Sequence, residues 1–555
     1  MQWKSLSCKP PICIGKTVFV THKIDISHKA LPFVWCLLAV IVFGLVLVIR
    51  IRLLEIPLER DEGEYAYAGQ LMLQGIPPYK LAYNMKFPGT YAAYAVIMSI
   101  FGQTTGAIHL GLLLVNAATI VLIFLLGRRL MNPTAGIAAA MSYAILSMSP
   151  SVLGLAAHAT NFVVLPVLGG TLLLLNESDR QQFGRLFASG LLFGLAVLMK
   201  QPALFFIVFA AIYLVSKGVQ RGTRLRDISL ESLFFTVGVI LPLGIALLLL
   251  WRAGVFDRFW FWAIDYARQY GTLVPLSEAP QIFLRSVREV VGAGWTLWML
   301  AGIGVVVGLL DNRVRASVIF LLGLLLASAL AVCPGFYFRY HYFVLVLPAI
   351  SLLVGAAISE FSDLLAGRTI LVRFMPLLVL CAALSAPILS ERTLLFTLSP
   401  IEACRRIYPE SPFPESLRIA EYVREHTRPD DTIAVLGSEP QIYFYSQRRS
   451  ATGYIYAYGL MEPQKYARQM QEEMMGEIER ARPMYLVSVV VNDSWLWRPG
   501  SERLIFNWAN QYTAQNYAAA GFVNITPTET DYYFGNAPSS VESLKDYILI
   551  YKRNP

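Results

Sequence analysis

The run Leu31-Pro-Phe-Val-Trp-Cys-Leu-Leu-Ala-Val-Ile-Val-Phe-Gly-Leu-Val-Leu-Val-Ile49, closed by Arg50-Ile-Arg52 and followed by Leu53-Leu-Glu-Ile-Pro-Leu-Glu-Arg-Asp-Glu-Gly-Glu-Tyr-Ala-Tyr67, decides how this chain folds. The first part is an apolar stretch of the length needed to cross a bilayer, about 20 residues. The second sets Glu55, Glu59, Asp61, Glu62 and Glu64 just beyond it. Carboxylates next to a bilayer are costly unless they are paired, hydrated or useful. An acidic knot on the first loop therefore points to chemistry at the membrane surface.

The rest of the chain agrees with a membrane setting. It has 555 residues, 56% of them hydrophobic and only 15% charged, with a mean hydropathy of +0.53. A soluble domain carries roughly a quarter charged residues. The net charge of +9 implies no nucleic acid, because basic residues on the cytoplasmic side orient membrane helices. The first thirty residues hold Lys4, Lys9, Lys16, Lys23 and Lys29 against Asp25 alone. The apolar run that follows is too long for a signal-peptide core and has no small-residue cleavage site. It reads as a retained first helix after a cytoplasmic tail, residues 1–30. Six cysteines are scattered without a CxxC pair. Cys8 and Cys13 lack further ligands for a metal, and a Cys333–Cys404 disulfide is conceivable but not demanded.

Ten further apolar stretches lie near 106–127, 133–150, 160–175, 187–199, 202–216, 230–251, 291–310, 316–333, 342–358 and 369–389. Cations then sort the connectors. Arg128 and Arg129, Arg180 and Arg185, Lys217 to Arg226, Arg313 and Arg315, and Arg368 and Arg373 fall on alternate connectors, all on the side of the N-terminal lysines. That is the cytoplasmic pattern. The opposite side receives 52–105, 151–160, 200–201, 252–290, 334–341 and everything after about 390. The expectation is a polytopic α-helical protein of the inner membrane with about 11 transmembrane helices over 31–389. Its first external loop is 52–105, and an extracytoplasmic α/β domain covers 390–555. Within that domain Ser416–His426 and Pro463–Arg482 read as helices, and Thr432–Leu436, Tyr485–Val491 and Tyr547–Tyr551 as strands. Residues 62–74, 87–101 and 256–270 have the aromatic, amphipathic look of segments lying on the bilayer surface, with a short span as the alternative for 87–101.

Asp61 heads the candidate chemistry. Asp61-x-x-Glu64 ahead of an apolar helix fits a reciprocal N-terminal cap as well as it fits a catalytic acid. Three further carboxylates exceed what one cap requires. Cations converge on the same compartment: Lys86 in Asn84-Met-Lys-Phe-Pro88, Lys200 in Leu198-Met-Lys-Gln-Pro202, and Arg339 with His341 in Phe336-Tyr-Phe-Arg-Tyr-His-Tyr-Phe343. Each also fits snorkelling from a helix end. An acid beside several cations suits proton transfer next to a phosphate leaving group. His158 and Asn161 stand at the mouth of another span, and Tyr65 and Tyr266 sit among the aromatic loops. Each has an ordinary structural alternative in hydrogen bonding or belt anchoring.

These residues carry a resemblance. Arg60-Asp-Glu-Gly-Glu-Tyr-Ala66 on the first external loop, Lys86-x-Pro88, the turn Gly127-Arg-Arg129, Leu198-Met-Lys200 and Arg339-Tyr-His-Tyr-Phe343 resemble the C-type glycosyltransferases that use lipid-linked sugars. Within them the likeness is to the bacterial branch related to protein O-mannosyltransferases and aminoarabinose transferases, over roughly residues 31–360. The resemblance implies a polyprenyl-phosphate (undecaprenyl-phosphate) sugar donor held in the membrane lipids, with a glycan, lipid or protein acceptor. It further implies Asp61 as main catalytic carboxylate, with Lys86 near the acceptor or donor phosphate; beside Asp61, Glu62 is expected to take part in catalysis by orienting it or holding a cation. Lys200, Arg339, His341, Tyr65, His158, Asn161 and Tyr266 complete the expected binding set. A divalent metal (Mg, Mn or Zn) on Asp61, Glu62 and Glu64 is a further expectation, weakened because His158, Thr160 and Asn161 stand where many relatives place a second acid. The competing reading is a transporter or flippase of lipid-linked sugars, which predicts inverted repeats that this sequence does not display.

Overall fold

The computed structural model describes residues 26–176, 182–526, 529–535 and 545–555. Cys8, Cys13, Arg180 and the lysines of the N-terminal tail lie outside the described residues or their described side chains. Each of the eleven apolar stretches becomes a helix. Nine helices among the described residues are long and apolar enough to cross a membrane, the first at Leu31–Arg52 and the last at Ile370–Ser390. Two of the expected spans, Pro133–Leu146 and Ala159–Leu175, are shorter apolar helices of 14 and 17 residues. The protein is a multi-pass membrane protein.

A sheet follows the helices in the chain. The strands are β1 (Thr432–Leu436), β2 (Arg449–Ser450), β3 (Tyr485–Val490), β4 (Tyr517–Ile525), β5 (Thr530–Phe534) and β6 (Asp546–Arg553), in the order β2-β1-β3-β6-β4-β5. β1 runs parallel to β2 and β3, whereas β6 is antiparallel to β3 and β4, and β5 is antiparallel to β4. The three strands expected from sequence, β1, β3 and β6, lie side by side in the interior of it. β4 and β5 escape a pattern reading because β4 runs Tyr-Ala-Ala-Ala-Gly, with little β-branched character.

The segment expected as the first external loop does not present its helix as a free surface element. Its helix Arg60–Leu73 is buried over eleven of its fourteen residues, and the C-terminal domain packs on it. Gly63 permits this approach, because a Cβ there would meet the backbone nitrogen of Gln441 at 2.7 Å. Gly75, at φ +77°, turns the chain away after the helix ends. Segment 256–270 is likewise drawn into the seam: Trp262 and Tyr266 are buried, Tyr83 stacks on Trp262, and the Tyr266 hydroxyl donates to Glu462 at 2.5 Å. Polar ties close the seam along its length. Leu58 N donates to the Tyr445 hydroxyl (2.8 Å), Ser450 N to the Tyr67 hydroxyl (2.7 Å) and Tyr83 N to the Gly453 carbonyl (2.7 Å). Cys36, Cys333, Cys381 and Cys404 are free thiols, so no disulfide joins Cys333 to Cys404.

Candidate active site

The helix carrying Asp61 starts two residues earlier than the Asp61-x-x-Glu64 reading supposes. Glu59 is the N-cap: its carboxylate accepts from Glu62 N at 2.9 Å, and the Glu62 carboxylate accepts from Glu59 N at 3.3 Å. This capping box occupies Glu59 and Glu62 and releases Asp61 from the role. Arg60, one residue away, points into the C-terminal domain. It donates to the Ser438 carbonyl at 2.8 Å, pairs with Asp493 and Glu439, and lies over the rings of Phe413 and Tyr458.

The two oxygens of Asp61 are unequal. Oδ1 accepts from Lys86 Nζ at 2.8 Å and from the Tyr456 hydroxyl at 3.3 Å. Oδ2 has His158 Nδ1 and His341 Nε2 at 3.9 Å each, beyond hydrogen-bond range. Lys86 also binds Glu64 at 2.7 Å and sits over the Tyr65 ring at 4.5 Å. Glu64 is fully buried and further accepts from Asn84 (2.8 Å) and the Tyr91 hydroxyl (2.6 Å). Burial opposes ionisation of Asp61, but the Lys86 ammonium more than offsets it and holds the carboxyl well below the usual range. Glu64 goes the other way: burial, with the Asp61 charge adding to it, outweighs Lys86 and raises its proton affinity. Of the two acids sharing one ammonium, Asp61 is the more acidic.

His158, N-cap of the helix Ala159–Leu175, stacks on His341 with ring centres 4.1 Å apart and planes 10° from parallel. The Thr160 hydroxyl fixes the His341 carbonyl at 2.9 Å. His341 is delivered by a loop in which Phe336 and Phe338 adopt φ of 55° and 45°, a left-handed conformation that bulky residues rarely take and that concentrates at functional sites. Burial lowers the pKa of both rings, to about 4 for His158, so they are neutral, and Lys86 is the cation that governs Asp61. Both ring nitrogens of His158 are buried and without a hydrogen-bond partner. One donor atom from each of Asp61, His158 and His341 lies within 4.8 Å of the others.

Two cations nearby have no acid. Lys200 interrupts two spans at Pro202, and its Nζ lies 3.7 Å from the centre of the Tyr342 ring. Burial lowers its pKa to about 7, partly countered by Asp61. Arg339 faces Tyr337 at 5.7 Å. Neither has a carboxylate within salt-bridge distance among the described residues.

The expected residues thus divide. Asp61, Lys86, Tyr65, His158 and His341 converge, with Lys200 and Arg339 beside them. Glu62 turns away, accepting from His109 (3.0 Å) and from Ala157 N (2.6 Å). Asn161 donates to the Ala156 carbonyl at 3.3 Å and leaves its oxygen unpartnered. Tyr266 is committed to Glu462. The metal set expected on Asp61, Glu62 and Glu64 is not the one the geometry gathers, since Glu62 and Glu64 are taken by His109 and by Lys86. Sequence reasoning passed over Tyr342, Asn84 and Tyr91, although each lies within five residues of a residue it singled out. Tyr456 carries no sequence signal, being 395 residues from Asp61.

Known proteins match this geometry in fold. The family model of dolichyl-phosphate-mannose-protein mannosyltransferases matches residues 86–251. No curated protein is significantly similar in sequence. ArnT from Cupriavidus metallidurans in its apo state is similar with a TM-score of 0.55 at 14% identity, over 94% of this chain and 98% of that one. The same protein bound to undecaprenyl phosphate gives 0.51 at 15% identity over the same shares of both chains. The oligosaccharyltransferase of Archaeoglobus fulgidus, in complex with Zn and sulfate, gives 0.54 at 16% identity, over 89% of this chain and 73% of that one. The chain shares the fold of these solved proteins over most of its length.

Proposed function

We propose that this protein transfers a sugar from a polyprenyl-phosphate donor to an acceptor hydroxyl at the outer face of the membrane. The observation that carries this reading is the pairing of one free carboxylate oxygen, Asp61 Oδ2, with two acid-free cations, Lys200 and Arg339, where the spans meet the C-terminal domain. Lys200 is half-buried and Arg339 exposed, and cations without acids are matched by an anionic ligand. A lipid phosphate reaching this depth from the bilayer supplies one.

In the mechanism, the acceptor oxygen attacks the anomeric carbon while the bond from that carbon to the lipid phosphate breaks. Lys200 and Arg339 neutralise the departing phosphate, and its dianion restores the Lys200 proton that burial weakens. Asp61 Oδ2 takes the hydroxyl proton. Because Lys86 makes Asp61 a weak base in the resting state, the proton moves late, once bond formation has made the hydroxyl acidic. A single displacement of this kind inverts the anomeric centre. Lys86, which the resemblance set near a phosphate, acts here by keeping Asp61 ionised.

Asp61, His158 and His341 also suit a divalent cation. Two neutral imidazoles and a carboxylate favour zinc over the oxygen-seeking Mg, and the orphaned His158 nitrogens are what such an ion would satisfy. When bound, the ion would take Asp61 Oδ2 as its ligand and, as a Lewis acid, would stand in for proton acceptance by that oxygen rather than act beside it. Purified protein incubated with labelled undecaprenyl-phosphate sugars and a membrane acceptor extract tests the function. Covalent transfer with an inverted product is expected. Movement of the lipid across vesicles without transfer would replace this reading with a flippase.

A further inference from the structure

We propose that the C-terminal domain is part of the catalytic centre, with Tyr456 as a positioning residue that anchors Asp61 Oδ1 so that Oδ2 faces the acceptor. This deepens the glycosyltransferase reading and rests on Asp61 as its base.

A carboxylate held by one ammonium is free to turn about its last torsion. Lys86 is a poor sole anchor, since it divides itself between Asp61 at 2.8 Å and Glu64 at 2.7 Å on a flexible stem. A second donor on the same oxygen removes that freedom, and Tyr456 is the one present, at 3.3 Å. Its ring also covers the Lys86 ammonium at 5.4 Å, so one side chain touches both members of the pair.

The strap that delivers Tyr456 is rigidly tied to its own domain. Gly453 N and the Tyr454 hydroxyl donate to Glu477 (3.0 Å) and Glu473 (2.6 Å), Ala457 N to the Ser438 hydroxyl (2.9 Å), and the Tyr458 hydroxyl to the Asp493 carbonyl (2.7 Å). Tyr456 packs edge-on against Tyr458 with centroids 4.9 Å apart. Among these tyrosines, Tyr454 and Tyr458 spend their hydroxyls within the domain. The Tyr456 hydroxyl has a single partner among the described residues, Asp61 across the seam. Its 3.3 Å separation leaves slack that closure on substrate can take up, as unliganded sites commonly do.

The function follows from the asymmetry. With Oδ1 fixed from two sides, Oδ2 is the one oxygen left to receive a proton, and it points at the space shared with His158 and His341. Small misplacements of a reacting group cost orders of magnitude in rate. Removing the anchor therefore acts on turnover rather than on binding.

The test pairs kinetics with a cycle that needs no activity. Tyr456→Phe keeps the ring and deletes the hydroxyl. Its kcat should fall about 10-fold, with KM for undecaprenyl-phosphate sugar and for acceptor within about twofold of wild type. In thermal unfolding of the full-length protein in detergent, Tyr456→Phe should lower the melting temperature in the wild-type background and leave it unchanged in an Asp61→Ala background. A wild-type kcat, a raised KM at unchanged kcat, or equal melting shifts in both backgrounds would each overturn the proposal. If the wild-type protein moved no sugar at all, the reading of function would fall while the melting cycle still judged the contact.

Discussion

Replacing Lys86 with methionine is the perturbation whose outcome the geometry fixes most tightly. Lys86 is one-fifth exposed and holds two carboxylates, Asp61 at 2.8 Å and fully buried Glu64 at 2.7 Å. At an effective dielectric of about 20, each such contact is worth roughly 6 kcal/mol before desolvation is subtracted. Desolvation removes much of that, and removing one partner from a buried pair costs about 3–5 kcal/mol in practice. Methionine preserves the apolar stem and deletes the charge, so packing against Tyr65 is retained. Lys86→Met should therefore destabilise the protein by about 3–5 kcal/mol. Adding Glu64→Gln should recover part of the loss, because the fully buried acid is gone while Asp61, 15% exposed, stays without its partner. Transfer should stay impaired in the double variant, since Asp61 no longer has the cation that keeps it ionised. Equilibrium unfolding in mixed micelles reads the first two quantities, and sugar transfer the third. A Lys86→Met protein within about 0.5 kcal/mol of wild type would refute the reasoning, as would full transfer by the double variant.

Three further outcomes follow from the same geometry. Lys200→Gln and Arg339→Gln should each raise the KM for the lipid-phosphate donor about 10-fold or more, measured by initial rates, because each removes a charged contact to the phosphate, of about 1.5–3 kcal/mol. Equilibrium dialysis of the full-length protein against added zinc should find one ion per chain, lost in a His158→Ala, His341→Ala double variant, and the added zinc should slow transfer by occupying Asp61 Oδ2. Glu462 is raised by burial to about 7 from 4.5, so the folded protein binds its proton more tightly than the unfolded chain does. Stability from this group is present at low pH and is lost as pH climbs from about 4.5 through 7. Glu462→Gln should accordingly raise the melting temperature relative to wild type at pH 8 and not at pH 5.

Much of the architecture is legible in the chain, because membrane spans are written in local composition. An apolar run such as Leu31–Ile49 is long enough to cross a bilayer, and it forms the first of the span-length helices. The acidic knot is equally local, and two of its members, Asp61 and Glu64, meet Lys86 in the structure. The cap was misread because Glu59-x-x-Glu62 and Asp61-x-x-Glu64 share one spacing, and only the true helix start separates them. Interfacial character was assigned to 62–74 and 256–270 because amphipathic aromatics look alike whether they face lipid headgroups or a second domain. Tyr456 and Glu462 were invisible for a different reason: their partners, Asp61 and Tyr266, lie hundreds of residues away, and only the seam between helical body and sheet domain brings them together. The stacking of His158 on His341 has the same origin, with a strained loop closing a gap that no spacing rule describes.

The account turns on Asp61 Oδ2 as the proton acceptor. A single-turnover measurement of sugar transfer from donor-loaded protein, comparing wild type with Asp61→Asn, addresses it most directly. Asparagine keeps the shape and removes the base, and loss of a general base costs about 10²–10⁴-fold. The account predicts a fall of at least about 100-fold in the transfer step, in a variant that folds and still retains donor. Transfer at the wild-type rate by folded, donor-loaded Asp61→Asn would contradict it.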